Sequence, residues 1–182
     1  KEVPPSTIYV ADNGSSKEEQ VKVKKICREK SIQWQKDQLK KNIIPRNELI
    51  NYGYIDIGNK TIAQFGTVLH LPRRTKYVTC IDDDTRLDKL WKLQKVVNYF
   101  ENDEQIAVLA YPLKVENPIL DIEEFQALEY IIVGFLKICH STIRSTIFNS
   151  GAFGTYRVSI LKEALMYHNT VFNGDDLQIC LK

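Results

Sequence analysis

The chain has 182 residues, with 25 Lys and Arg against 23 Asp and Glu, so its formal net charge is +2. Apolar residues make up 43% and aromatic residues 10%, which excludes an intrinsically disordered chain and predicts a folded one. The length suits one domain, and we expect residues 1–182 to form a single domain. The nearly balanced charge argues against a nucleic-acid-binding protein, which normally carries a basic excess.

The first third of the chain predicts a strand, a helix, a strand and a second helix. A β-branched and aromatic run at residues 7–11 predicts a strand that ends in a turn rich in Asn and Gly. Residues 17–41 predict a helix with nine basic and four acidic residues, which we interpret as a solvated face. Residues 52–57 alternate as a strand does, and residues 61–71 predict a helix.

The middle of the chain continues the alternation of predicted strands and helices. Residues 76–81 predict a buried strand, and it runs directly into three consecutive aspartates. Helical spacing of apolar residues then predicts a helix over 85–101, followed by a strand over 105–115. Residues 121–141 predict an amphipathic helix, whose apolar face we expect to pack into the core.

The last part of the chain is less regular. Residues 148–157 are interpreted as an irregular segment containing glycine, and residues 159–167 predict a helix. A loop at 173–176 precedes a further helical start. Strands that alternate with helices predict an α/β fold, with a mostly parallel sheet flanked by helices. The longest apolar stretch, 130–136, is far shorter than the roughly 20 residues that a membrane span needs.

Three acidic turns are the candidate functional residues. Asp12 follows the first strand, Asp82 and Asp84 follow the strand at 76–81, and Asp175 and Asp176 precede the last helical start. Ligands of open α/β sheets bind at the carboxyl ends of the strands, so we expect these acids to share one crevice. Crowded carboxylates repel one another unless a cation lies between them, and a hard divalent ion prefers oxygen ligands. The pattern therefore predicts a Mg²⁺ or Mn²⁺ site, with helix N-capping as the alternative role for these acids.

The order of four motifs resembles the family 2 glycosyltransferases, and the similarity extends over nearly the whole chain. The motifs are Val-Ala-Asp12-Asn-Gly-Ser-Ser, Ile81-Asp-Asp-Asp84-Thr, Asn149-Ser-Gly-Ala-Phe-Gly-Thr-Tyr-Arg157 and Gly174-Asp-Asp176-Leu. Within that family the chain is most similar to the processive, membrane-bound hyaluronan, chitin and cellulose synthases. The resemblance implies a GT-A (Rossmann-like) fold that lacks the family's first strand, and a chain that is part of a longer catalytic domain.

The resemblance also implies an activity, namely transfer of a sugar with inversion from a nucleotide-sugar donor, usually a UDP-sugar, to a carbohydrate acceptor. Asp12 would contact the uridine and Lys60 would approach the nucleotide. Asp82 and Asp84 would form the DxD pair, with Asp84 the more direct metal ligand and Asp82 nearer the ribose or sugar.

The two C-terminal motifs would complete the site. The resemblance implies that the donor sugar and the acceptor are held by a set of small, aromatic and acidic residues: Ser150, Gly151, Ala152, Phe153 and Asp175. Asp176 would be the general base that takes the proton of the acceptor hydroxyl as it attacks. Asp83 has no role in this scheme. The spacing after Lys60 departs from the family pattern, because Ala63-Gln64-Phe65-Gly66 stands where an Asn-x-Gly is usual.

Two other functions fit part of the pattern. A nucleic-acid polymerase could use Asp82, Asp84 and the Gly-Asp-Asp run for two-metal nucleotidyl transfer, but the sequence lacks a basic template channel. A degenerate domain that binds a sugar nucleotide without turnover is the non-enzymatic alternative. From the resemblance we expect membrane association through other parts of the full-length protein, and a catalytic domain that faces the cytoplasm. The resemblance also implies a membrane interface as the alternative to core packing for the helix at 121–141. The sequons at Asn13 and Asn59 fall in predicted donor-site turns, so we expect neither to be glycosylated.

Overall fold

The computed structural model describes residues 3–45, 48–89, 91–143 and 152–168 of the chain. These residues form a mixed α/β structure, which confirms the predicted class at that level. The chain divides into two compact units, Lys1–Leu71 and Pro72–Lys182, and each is described by itself. The single domain expected over residues 1–182 stays a prediction.

The first unit is built on two parallel strands, β1 (Tyr9–Asn13) and β2 (Asn51–Ile55). Between them in the chain lies α1 (Lys17–Lys40), which begins with a capping box formed by Ser16 and Glu19. A parallel connection needs a long crossover, and this helix supplies it.

Helix α1 is attached to the start of β2 through one buried hydroxyl. Ser31 is fully buried, and its Oγ donates to the Cys27 carbonyl at 2.7 Å and accepts from the Ile50 N–H at 3.0 Å. Helix α2 (Lys60–His70) follows β2 and packs on both strands through buried residues that include Ala63 and Val68.

The second unit contains three strands in the order β3, β5, β4. They are β3 (Tyr77–Ile81), β4 (Val108–Ala110) and β5 (Phe153–Arg157), and β5 is antiparallel to both neighbours. The mostly parallel sheet predicted from the sequence therefore holds for β1 and β2 but not for the described strands of this unit. The physical reason is that apolar periodicity predicts a strand without fixing its direction.

The described residues of the second unit also form three helices: α3 (Leu93–Asn102), α4 (Asp121–Ile143) and α5 (Val158–Met166). The core contains Phe100 and Leu161, which are 0% and 1% exposed. Arg157 at the end of β5 binds the chain that follows α3: its guanidinium donates to the carbonyls of Phe100, Asp103 and Ile106 at 2.7 to 2.9 Å. These bonds satisfy carbonyls at the carboxyl end of α3, where a helix leaves carbonyls without intrahelical donors.

Three predicted elements differ from the structure. The helix expected over 85–101 begins only at Leu93, and the strand expected over 105–115 is confined to Val108–Ala110. Residues 153–157, interpreted as irregular, form the regular strand β5, whereas residues 148–151 lie outside the described part. The face of α4 that the core alternative would bury is largely exposed, since Phe125 and Phe135 are 68% and 65% exposed.

Candidate functional site

In the first unit, the candidate nucleotide-binding residue Asp12 lies near the carboxyl end of β1. Its side chain is only 8% exposed, and Tyr52 donates its phenolic O–H to Asp12 Oδ2 at 2.5 Å. Tyr52 pairs with Val10 in the register, so its ring and Asp12 lie on the same face of the two strands. Strand β2 therefore holds the carboxylate of β1 in place.

The surroundings of Asp12 favour its ionised form. Burial alone would raise the pKa of Asp12, but hydrogen bonds from Ser15 and Tyr52 and the nearby charge of Lys24 together hold it below 3.8. The same burial and hydrogen bond raise the pKa of Tyr52, so the phenol stays a donor. Lys24 Nζ also lies 5.0 Å from the centre of the Tyr52 ring. At neutral pH, Asp12 is therefore a fixed, buried anion that can accept an N–H from a ligand.

The turns that follow β1 and β2 lie against each other. The Gly14 N–H donates to the Ile55 carbonyl at 3.2 Å, and a Cβ added to Gly14 would lie 3.3 Å from the Cα of Gly58. Gly14 has a φ of +80°, a backbone conformation that residues other than glycine rarely adopt. The close approach depends on the absence of a side chain here.

Lys60 is the first residue of α2 and lies just beyond this pair of turns. The preceding Asn59 caps the helix, because its side chain accepts from the Ile62 N–H at 3.0 Å. The first unit thus places Asp12 and Lys60 at the same edge, where its two parallel strands end.

In the second unit, the acidic motif forms a turn at the end of β3. The Thr85 N–H donates to the Asp82 carbonyl at 3.0 Å, which closes the turn around Asp83 and Asp84. Asp82 is half-buried, whereas Asp83 and Asp84 are exposed. Helix α3 begins at Leu93 with Lys92 at its N-cap, so these three aspartates do not cap it. The capping alternative is therefore wrong for this motif.

Strand β5 brings a second predicted motif to this turn. Ile81 pairs with Phe153 in the antiparallel register, and one residue further the Asp82 N–H donates to the Ala152 carbonyl at 2.9 Å. Two residues assigned to the same site, 70 positions apart in the chain, are therefore joined by a hydrogen bond. Ser150 and Gly151 of the same motif lie outside the described residues, as do Asp175 and the expected base Asp176.

Phe153 is part of an aromatic cluster that the sequence analysis missed. Its ring is stacked on Tyr111 at a centroid distance of 4.1 Å and tilted against Trp91 at 6.1 Å, and it is only 7% exposed. The Tyr111 hydroxyl also pairs with the Thr155 hydroxyl at 2.8 Å. The one available signal was that Trp91 falls outside the apolar face expected for the helix at 85–101.

The turn after β3 is the candidate metal site. Asp82 and Asp84 supply carboxylate oxygens, and Mg²⁺ in such sites commonly takes one or two carboxylates, with phosphate and water oxygens filling the other positions. The donors present therefore fit a Mg²⁺ or Mn²⁺ ion bound together with a diphosphate. Over residues 3–45, 48–89, 91–143 and 152–168, no group of three or more His, Cys, Asp or Glu residues forms a metal site.

Two further findings bear on the class of protein. Among the described residues, no helix combines the length and the hydropathy that a membrane crossing requires. No protein-family model matches the chain, and no curated protein matches it significantly.

Proposed function

We propose that this chain is part of the catalytic domain of an inverting, metal-dependent glycosyltransferase, which transfers a sugar from a UDP-sugar to a carbohydrate acceptor. The observation that carries the proposal is the hydrogen bond from the Asp82 N–H to the Ala152 carbonyl at 2.9 Å. It joins the DxD turn to the motif that the sequence assigns to the donor sugar and acceptor. The proposed reaction requires these two motifs to be neighbours, and the hydrogen bond supports the proposal on this point.

The first unit supports the nucleotide-binding half of the proposal. Asp12 is a buried, ionised acceptor at the end of one parallel strand, and Lys60 opens the helix that follows the other. A carboxylate of this kind can accept the imide N–H of uracil, and the lysine can approach the phosphates. The parallel pair of β1 and β2, connected by α1, is the part of the first unit that fits the GT-A fold that we propose.

The proposed reaction is a single displacement. The acceptor hydroxyl oxygen attacks the anomeric carbon while the bond from that carbon to the diphosphate oxygen breaks, so the configuration inverts and UDP leaves. The proton of the hydroxyl passes to Asp176, a step that typically contributes about 10²–10⁴-fold in rate. Asp82 and Asp84 would hold a divalent ion at the turn, and its role would be to neutralise the charge of the departing diphosphate.

Calorimetry with UDP, with and without Mn²⁺, tests this proposal directly. We expect the chain to bind UDP more tightly with Mn²⁺ than without it, and more tightly than ADP or GDP. Equal binding of all nucleotides would favour a nucleotidyltransferase instead. Absence of UDP binding under both conditions would contradict the proposal and favour a scaffold domain.

We propose further that the full-length protein associates with membranes and presents this region to the cytoplasm.

A further inference from the structure

We infer that a cleft between α3 and β4 binds a sugar ring of the carbohydrate acceptor. The cleft has a volume of about 270 Å³ and lies within the second unit. Eight residues of mixed aromatic, aliphatic and basic character line it: Trp91, Lys92, Lys95, Val96, Tyr99, Leu109, Ala110 and Tyr111. This inference rests on the proposed function, since a carbohydrate site in the unit that contains the DxD turn serves an enzyme that extends a carbohydrate.

The lining has the chemistry of a sugar-binding surface. Three aromatic residues, Trp91, Tyr99 and Tyr111, supply flat apolar surfaces against which the C–H face of a pyranose can pack. Lys92 and Lys95 are exposed at the rim and can donate to hydroxyl or carboxylate oxygens. Ligand sites are mostly apolar with a few placed polar groups, and about 300–1,000 Å³ is their usual volume. The cleft is near the lower limit, which suits one or two sugar rings.

A chain of ring contacts connects the cleft to the DxD turn. Trp91 and Tyr111 both line the cleft, and both rings contact Phe153. Phe153 pairs with Ile81 in the sheet, and the next residue, Asp82, is bonded to Ala152. The aromatic walls of the cleft are therefore held by the strand that carries the predicted sugar-binding motif. The register pairs Cys80 of β3 and Ala110 of β4 with the same residue, Gly154, so the cleft residue Ala110 lies level with the end of β3 that leads to the proposed metal ligands.

The two tryptophans of the chain make the inference measurable. Neither Trp34 nor Trp91 has a hydrogen-bond partner for its indole N–H within the described residues, so replacement of either by Phe loses no hydrogen bond. In the Trp34→Phe variant, the indole fluorescence comes from Trp91 alone. Chitotetraose, cellotetraose and a hyaluronan tetrasaccharide are the probes. We expect at least one of them to change the Trp91 emission, with a dissociation constant of about 1 mM or lower, a range typical of weak binding.

Two exposed tyrosines provide a matched pair of variants in the Trp34→Phe background. Tyr99 lines the cleft and is 62% exposed, whereas Tyr167, after α5, is 65% exposed and does not line it. We expect Tyr99→Ala to weaken binding of the responding tetrasaccharide about ten-fold, which is about 1.4 kcal/mol, and Tyr167→Ala to leave it unchanged. Because both side chains are mostly exposed, neither change removes core packing.

The outcomes separate this inference from the proposed function. If none of the three tetrasaccharides changes the Trp91 emission while UDP still binds with Mn²⁺, the cleft is not an acceptor site and the proposed function stands. A change in Trp91 emission caused by UDP alone would also overturn the inference, because the cleft would then hold the nucleotide. Equal losses in Tyr99→Ala and Tyr167→Ala would exclude specific binding in the cleft. A tetrasaccharide response without UDP binding would support the carbohydrate site and contradict the transferase.

Discussion

Tyr52 donates its phenolic O–H to the buried carboxylate of Asp12 at 2.5 Å, and this bond joins the two parallel strands of the first unit. The phenol does two things for Asp12. The phenol supplies one of the hydrogen bonds that offset the cost of burying the Asp12 charge, and the bond fixes the position of Asp12 Oδ2, which accepts it. The candidate nucleotide-binding group is thus also a structural group.

Replacing Tyr52 by Phe is expected to destabilise the first unit. The change removes one donor from a buried carboxylate, and such a loss typically costs about 1–3 kcal/mol of unfolding free energy. Urea unfolding followed by circular dichroism measures it. Tyr54→Phe on the same strand is the matched control, since its hydroxyl bonds to the exposed Asp56 at 2.9 Å, and we expect a much smaller loss there. Equal losses of unfolding free energy in the two variants would show that the hydrogen bond to Asp12 stabilises the fold no more than the exposed bond to Asp56.

The lowered pKa of Asp12 predicts a particular dependence of stability on pH. The folded protein holds this pKa below 3.8, so the unfolded chain binds the proton more readily. Its contribution is therefore fully present well above pH 3.8, and it is lost as the pH falls through the lowered folded-state pKa. Asp12→Asn cannot titrate, and we expect its unfolding free energy to fall less steeply between about pH 5 and 2. Parallel curves for the two proteins would contradict the assignment.

Gly14→Ala is expected to be strongly unfavourable. Gly14 has a φ of +80°, and an added Cβ would lie 3.3 Å from the Cα of Gly58, so the change adds backbone strain and crowds the next turn. We expect a loss of about 1–3 kcal/mol of unfolding free energy, measured by urea titration. Gly53→Ala on β2 is the control, because an added Cβ there meets nothing within 4 Å. We expect that variant to be as stable as the parent or more so, since Ala restricts the unfolded chain.

Adjacent aspartates in the turn after β3 provide a sharp test of metal binding. Asp84→Ala should abolish the Mn²⁺-dependent part of UDP binding, because it removes the more direct of the two proposed ligands. Asp83→Ala removes an equally exposed carboxylate from the same turn, and we expect it to retain that binding. Calorimetry with UDP and Mn²⁺ compares the two variants. Loss of Mn²⁺-dependent binding in Asp83→Ala, with retention in Asp84→Ala, would reverse the assignment.

Asp176→Asn in the full-length protein should separate chemistry from binding. If Asp176 takes the proton from the acceptor, we expect the amide to reduce sugar transfer by about 10²–10⁴-fold, since it cannot act as a base. Affinity for UDP should change little, because Asn keeps the size and polarity of Asp. Radiolabelled transfer and UDP calorimetry measure the two effects. Normal turnover by the variant would show that another group is the base.

Much of the local structure could be predicted from the sequence, because the start of a helix depends on residues close together in the chain. The Ser16 and Glu19 capping box marks the start of α1, and Asn59 marks the start of α2, each through a side-chain bond to a backbone N–H nearby in the chain. For helix α3, local signals predicted the wrong starting residue. Its apolar spacing extended the prediction back to residue 85, but the turn closed by Thr85 and the packing of Trp91 on Phe153 place its start at Leu93.

Local sequence patterns suffice to predict the mixed α/β class, the location of Asp12 near the carboxyl end of the first strand and that of Asp82 directly after β3, because apolar periodicity and turn residues act over a few positions. Three features become visible only in the folded structure. Strand β5 runs antiparallel beside β3, the Asp82 N–H donates to the Ala152 carbonyl, and Tyr52 donates its hydroxyl to the buried carboxylate of Asp12. Those contacts join residues 40 to 80 positions apart. Strand direction and partner choice depend on how whole elements pack, and no local pattern encodes that.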